Sequence, residues 1–184
     1  MATAGPNSGS SGVDSSENGS FGTAWTNPGN ALVSDASYAT VTDPGITHVL
    51  VVTGFGFSIP ADATLAGILI EVQAKGTTTL TNAMHVRCRK TSGNFTGSYV
   101  QCTPTTTEQY FQCGSTSSLA AWGTGLPTIS DINSSTFGAA IDFDPLVSGT
   151  LSVNHVRITI GYTPASGGPH ITQTRQAVMR AATR

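Results

Sequence analysis

The chain has 184 residues with 8 basic and 10 acidic side chains and a formal net charge of -2, long enough for one domain with a sizeable core and without the basic stripe that nucleic acid requires. Charged residues are only 10%, against roughly 25% in an average soluble domain, and no stretch approaches the roughly 18 apolar residues of a membrane span. Threonine (28), serine (20) and glycine (21) fill more than a third of the positions, which suits strands and turns rather than helices.

Residues 1–20 hold one apolar side chain, Val13, besides Met1 and the alanines. Such a segment buries too little surface to offset its ordering entropy, so it is expected to be flexible unless a partner surface orders it. It has neither a basic n-region nor an apolar h-region, so no signal peptide is expected. Asn27-Pro28-Gly29-Asn30 and Asp43-Pro44-Gly45 are turn signals. Between the turns the period is two. Residues 48–58 place Val49, Val51, Thr53, Phe55 and Phe57 on one face, with Leu50 and Val52 on the other. Residues 64–74 turn Ile68, Ile70, Val72 and Ala74 inward, alternating with Leu69, Glu71 and Gln73. Residues 83–90 turn Met84, Val86 and Cys88 inward and His85, Arg87 and Arg89 outward.

Weaker strands follow at 95–102 and 107–113, joined by Thr103-Pro104-Thr105. The stretch 115–136 is irregular, with one helical turn expected at Asp131–Ser135, capped by Asp131 or Ser130. Phe137, Ala139, Ile141 and Phe143 then share a face. The last strand, 153–162, points Val156, Ile158, Ile160 and Tyr162 inward and His155, Arg157 and Thr159 outward. Eight or more strands without a long helical pattern predict an all-β fold, an antiparallel sandwich of jelly-roll type. An up-and-down barrel is the alternative. The expected organisation is a flexible segment at 1–20, a β-sandwich domain at 21–163 and a linker with a C-terminal arm at 164–184. Within that arm Ile171, Arg175, Val178, Met179 and Arg180 are the candidate docking residues, folding on contact with a neighbouring subunit.

No catalytic signature is present: no GxSxG, P-loop, HExxH or GxGxxG before a helix. The histidines, His48, His85, His155 and His170, show no ligand spacing. Asp142 and Asp144 share a face, but a hard cation wants six to eight oxygens, so no metal and no cofactor is expected. Asp35 reads as a turn residue bonded to its own backbone. Three cysteines, Cys88, Cys102 and Cys113, exclude a closed disulfide framework. Reduced, partly buried thiols are the simplest reading; a Cys102–Cys113 bridge requires neighbouring strands, and an intermolecular bond through Cys88 is the third route. Trp25, Tyr99, Tyr110, Phe111 and Trp122 have no inward parity. Trp122, in the irregular segment, either caps the sandwich or meets a ligand. A glycan-binding reading requires Trp122 or Tyr110 to lie exposed beside polar groups.

Several stretches together resemble a group of uncharacterised bacteriophage structural proteins. They are Trp25–Ala31, Ser34–Thr40, the run Gly54-Phe55-Gly56-Phe57-Ser58-Ile59-Pro60, Ala63–Ile68, Ala121–Gly123, Asp131–Gly138 and Val156–Tyr162. Their order and spacing run through most of residues 25–162, and the GFGFSIP run is the strongest piece. Where that group has a charged strand and a Trp-Pro, this chain carries the cysteine-containing region 83–113, so the cysteines inherit no role. The tail Ile171–Met179 is similar to C-terminal strand segments of phage virion proteins. The resemblance implies a non-enzymatic virion component, assembled in the host cytoplasm. Capsid decoration or cementing is the first role implied; a tail, collar or fibre part, or a glycan-binding host-adsorption module, is the alternative. Its expected partners are other virion proteins and copies of itself, a trimer favoured, with a host glycan in the adsorption reading. Nucleic acid and membrane are not expected partners.

Overall fold

The computed structural model describes residues 1–16, 22–42, 47–91, 94–143 and 148–165. The strands are β1 Ala2–Ser8, β2 Ser11–Ser15, β3 Ala39–Thr42, β4 Val49–Thr53, β5 Thr64–Gly76, β6 Met84–Thr91, β7 Asn94–Phe95, β8 Val100–Cys102, β9 Gln109–Ser115, β10 Gly138–Phe143 and β11 Thr150–Thr163. One sheet runs β1-β11-β5-β9, with β3 also on β11; the other runs β2-β4-β10-β6-β7, with β8 also on β6. Every pairing of these strands is antiparallel. The chain changes sheet at most connections, so the sheets are wound together as a jelly-roll-like all-β sandwich, as the strand periods imply.

The inner faces follow the period-two reading. Ile68, Ile70, Val72 and Ala74 of β5 and Val156, Ile158 and Ile160 of β11 face Met84, Val86 and Cys88 of β6 and Ala139, Ile141 and Phe143 of β10 in one buried core. Burial of this kind contributes about 25 cal/mol for each Å² of apolar surface removed from water. Leu50 and Val52 of β4 join that core, while Val49 and Val51 pack separately with Ala140 against Phe95 on the other side of the sheet.

Four expectations are corrected. Residues 1–20 were expected to be flexible, yet β1 pairs with β11 from Ala2↔Tyr162 to Ser8↔Arg157, and β2 pairs with β4 from Ser11↔Thr53 to Ser15↔Val49. Ladder bonds use the backbone and need no large side chain. The small residues are also required sterically: a Cβ at Gly9, where the chain passes between sheets, would lie 2.4 Å from Val52 Cγ1. Phe55 and Phe57 share no face with Val49 and Val51 but lie in the main core, because Gly54 (φ 74°) and Gly56 (φ 67°) adopt left-handed conformations that break the alternation. Arg89, Glu71 and His155, read as outward, are all buried, and the Arg89 guanidinium donates to the Thr136 carbonyl. The helical turn α1, Ile129–Ile132, is capped by Thr128, with Asp131 as the reciprocal partner of a capping box.

A chain beginning at residue 16 leaves residues 157–162 of β11 and one edge of β4 unpaired. Its thermal midpoint is expected to fall by about 5 °C or more relative to the full chain, measured by circular dichroism. An unchanged midpoint would show that β1 and β2 are dispensable.

Candidate functional site

Trp122 caps the sandwich and is not a ligand platform. It closes the 3-10 turn Ala120–Trp122, is fully buried, and its Nε1 donates to the Ile68 carbonyl at 3.0 Å. Trp25 is buried as well, its Nε1 donating to the His48 carbonyl. Cys88 is fully buried in the core, so its sulfur is not presented at the surface for an intermolecular bond. All three thiols are free; Cys102 and Cys113 belong to different sheets, yet their sulfurs are 3.3 Å apart. Asp142 lies 3.6 Å from His85 Nδ1 and 4.0 Å from an Arg87 nitrogen, so an imidazole and a guanidinium occupy its surroundings. No group of three or more metal-ligating side chains occurs among the described residues. Asp35 accepts from the Ser37 backbone at 2.9 Å, the turn role expected of it. Asp144, His170 and the arm residues Ile171, Arg175, Val178, Met179 and Arg180 lie outside the described residues.

The residues that converge are those with outward parity on β5, β9 and β11. Register places Glu71 between Arg157 and Gln112, and Gln73 between His155 and Tyr110, in two adjacent rows across the first sheet. Arg157 grips Glu71 with two bonds, Nε to Oε2 at 2.8 Å and a terminal nitrogen to Oε1 at 3.0 Å. Its guanidinium also lies 4.2 Å from the Tyr110 ring centroid, within cation–π range. Tyr110 Oη is 2.8 Å from His155 Nδ1, and Ser8 Oγ of β1 is 2.8 Å from His155 Nε2. Gln73 Oε1 sits buried in this tract without a hydrogen-bond partner.

A bulge between Val153 and His155 adds a second cluster at one end of the rows. Asn154 donates to Glu108 Oε1 and accepts from the Asp35 backbone. Tyr38 donates to Glu108 Oε2 at 2.8 Å, and Lys75 Nζ donates to Tyr38 Oη at 3.0 Å while lying 4.2 Å from the Tyr38 ring centroid. At the other end the Thr116 carbonyl rests on Gly161, where a Cβ would come within 1.7 Å of it. The face is therefore a polar and aromatic floor bounded at both ends by chain segments. Outward parity already marked Glu71, Gln73, His155 and Arg157, and Tyr110 was a candidate aromatic. Tyr38, Glu108, Asn154 and Ser8 were missed, because loops or the N-terminal strand bring them in and local periodicity does not report on such contacts.

Burial pushes His155 below its ordinary value of 6.5, and the neighbouring Arg157 charge pushes the same way against a smaller opposing pull from Glu71. Below about pH 6.5 the unfolded chain therefore takes up a proton that the folded chain resists. This contribution to stability is fully present above that pH and is lost as the pH falls. Urea unfolding at pH 7.5 and pH 5.5 is expected to show a lower midpoint in acid. In His155→Gln, which keeps a donor and an acceptor beside Ser8 and Tyr110, that difference should shrink; an equal acid loss in the variant would assign it to another group.

No family model and no curated protein matches the chain. Among solved structures, it is similar to the protein described as BiXyn10A CBM1 in its apo form, at 8% identity and TM-score 0.44, covering 86% of this chain and 96% of that one. It is similar to a CBM4 structure at 14% identity and TM-score 0.41, covering 81% and 84%. It is also similar to the enzymatically active domain of tailspike protein 4 of bacteriophage CBA120, at 14% identity and TM-score 0.36, covering 88% of this chain and 19% of that one.

Proposed function

We propose that the protein is a non-enzymatic glycan-binding module that holds a neutral saccharide across the outer face of its first sheet. The observation that carries this reading is the row Tyr110, Gln73, His155 beside the row Gln112, Glu71, Arg157. Tyr110 is half-buried, with Arg157 against its ring and its hydroxyl on His155, and what stays open of it is a flat apolar surface with a polar tip. Around it, planar amide, carboxylate and guanidinium groups supply the donors and acceptors that hydroxyls need. The side chains are already held by one another, so ordering them on binding costs little. Charge is balanced within the tract, Arg157 by Glu71 and Lys75, through Tyr38, by Glu108. That balance favours a hydroxyl-rich ligand over a strongly ionic one.

On the resemblance to phage structural proteins, the module belongs to a virion, placed on the tail where the host surface is met. This reading is preferred to capsid decoration because the buried core of a protein–protein interface is depleted in charge, whereas this face is built from charged and polar groups.

Affinity electrophoresis in native gels, each cast with a different soluble neutral polysaccharide, tests the proposal. Retardation by at least one of them is expected, weakened about tenfold or more in Tyr110→Ala. Tyr99→Ala should leave it unchanged, since Tyr99 stacks on His85 of β6 in the second sheet. Equal binding by Tyr110→Ala would move the ligand off this face. No retardation with any polysaccharide, together with retention on purified capsids, would return the protein to lattice decoration.

A further inference from the structure

Cys102 ends β8 in the second sheet, and Cys113 lies in β9 of the first. Cys102 is paired in register with Met84 and Cys113 with Ile70, both inner-face residues. The two thiols therefore meet inside the sandwich from opposite sheets, their sulfurs 3.3 Å apart. The third thiol, Cys88, is fully buried, whereas Cys102 retains 9% exposure at the margin of the core. A disulfide needs its sulfurs about 2.05 Å apart, so closure requires an approach of roughly 1.2 Å, within the reach of small side-chain adjustments.

We propose that Cys102 and Cys113 form an oxidative modification site that closes into a disulfide joining the two sheets, with a small-molecule disulfide as oxidant. The order of steps follows from the contact. The Cys113 S–H shared with Cys102 lowers the Cys102 thiol and, together with burial, raises that of Cys113. Cys102, which is also the more exposed, is the first nucleophile. Its thiolate attacks one sulfur of the oxidant, forming a mixed disulfide and expelling one small thiol. The Cys113 thiolate then attacks the Cys102 sulfur, the Cys102–Cys113 bond forms, and the second small thiol leaves. Two protein thiols lose two electrons and two protons; the oxidant gains both and is reduced to two thiols.

The bond would close the loop carrying Glu108 and tie β9, the strand of Tyr110, to the opposite sheet. The effect on stability comes mainly from constraining the unfolded chain. The proposal is independent of glycan binding, since it concerns the inner face.

Full-length protein is exposed to oxidised glutathione, unfolded in iodoacetamide without reductant, and weighed intact. The expected product is a monomer two hydrogens lighter, alkylated once, at Cys88. Combined cleavage after Glu108 and after Arg and Lys separates Cys88, Cys102 and Cys113 onto three peptides, so a linked Thr91–Glu108 and Gln109–Arg157 pair identifies the bond. The oxidised sample should melt about 5 °C or more above the reduced one, and Cys102→Ser should abolish both the linked pair and that shift. Three alkylated cysteines, glutathione retained on Cys102, or a link involving Cys88 would each overturn the proposal. Should Cys102→Ser fail to fold, peptide mapping of the unaltered chain decides alone.

Discussion

Strands β5 and β11 pair from Thr64↔Thr163 to Gly76↔Leu151, and this long antiparallel ladder organises both surfaces of the first sheet. On its inner side Ile68, Ile70 and Val72 meet Ile160, Ile158 and Val156; on its outer side Glu71 and Gln73 meet Arg157 and His155. A slip of one residue would exchange the two sets and drive the Glu71–Arg157 pair into the core, where charged groups are heavily penalised. Hydrophobic burial on one face thus fixes the register that assembles the polar rows on the other. The bulge at Asn154 is one of two local departures in that ladder, the other lying between Gly161 and Tyr162. It brings an amide beside Glu108 and Tyr38, which the regular alternation would not do.

The free edge of β11 is shared in succession by β3, by Leu32 and by β1. The N-terminal segment is thus structural twice over: β1 covers this edge and supplies Ser8 to His155, and β2 continues along β4 of the other sheet. Composition alone reads this segment as too polar to order itself, and in isolation that argument holds. It fails in the folded protein because a preformed strand edge supplies the hydrogen-bond partners, while a small residue such as Gly9 allows close packing. Gly5, Gly9 and Gly12 of this segment all serve such close approach.

Strand positions were largely legible. Inward parity at Met84, Val86 and Cys88, at Ala139, Ile141 and Phe143, and along β5 and β11 survives into the core unchanged. The misreadings have identifiable causes. Left-handed glycines reset the facing of Phe55 and Phe57, and Arg89 found a buried carbonyl partner on a distant loop. Trp122, an aromatic in irregular chain, was open to two fates; its indole N–H meets the Ile68 carbonyl inside the molecule. The candidate site was half legible, since outward parity marks which side chains a face offers but not which strands lie side by side.

By itself the sequence determined an all-β chain, the residues that turn inward on its most regular strands, and the absence of any recognised catalytic motif. These follow from alternation over a few neighbouring positions and from short spacings, which any segment carries locally. Only the tertiary structure decided that Tyr110, Gln73 and His155 form one row, that Ala2 lies beside Tyr162, and that Cys102 faces Cys113 across the two sheets. Strand order depends on contacts between residues far apart in the chain, and no local period encodes them.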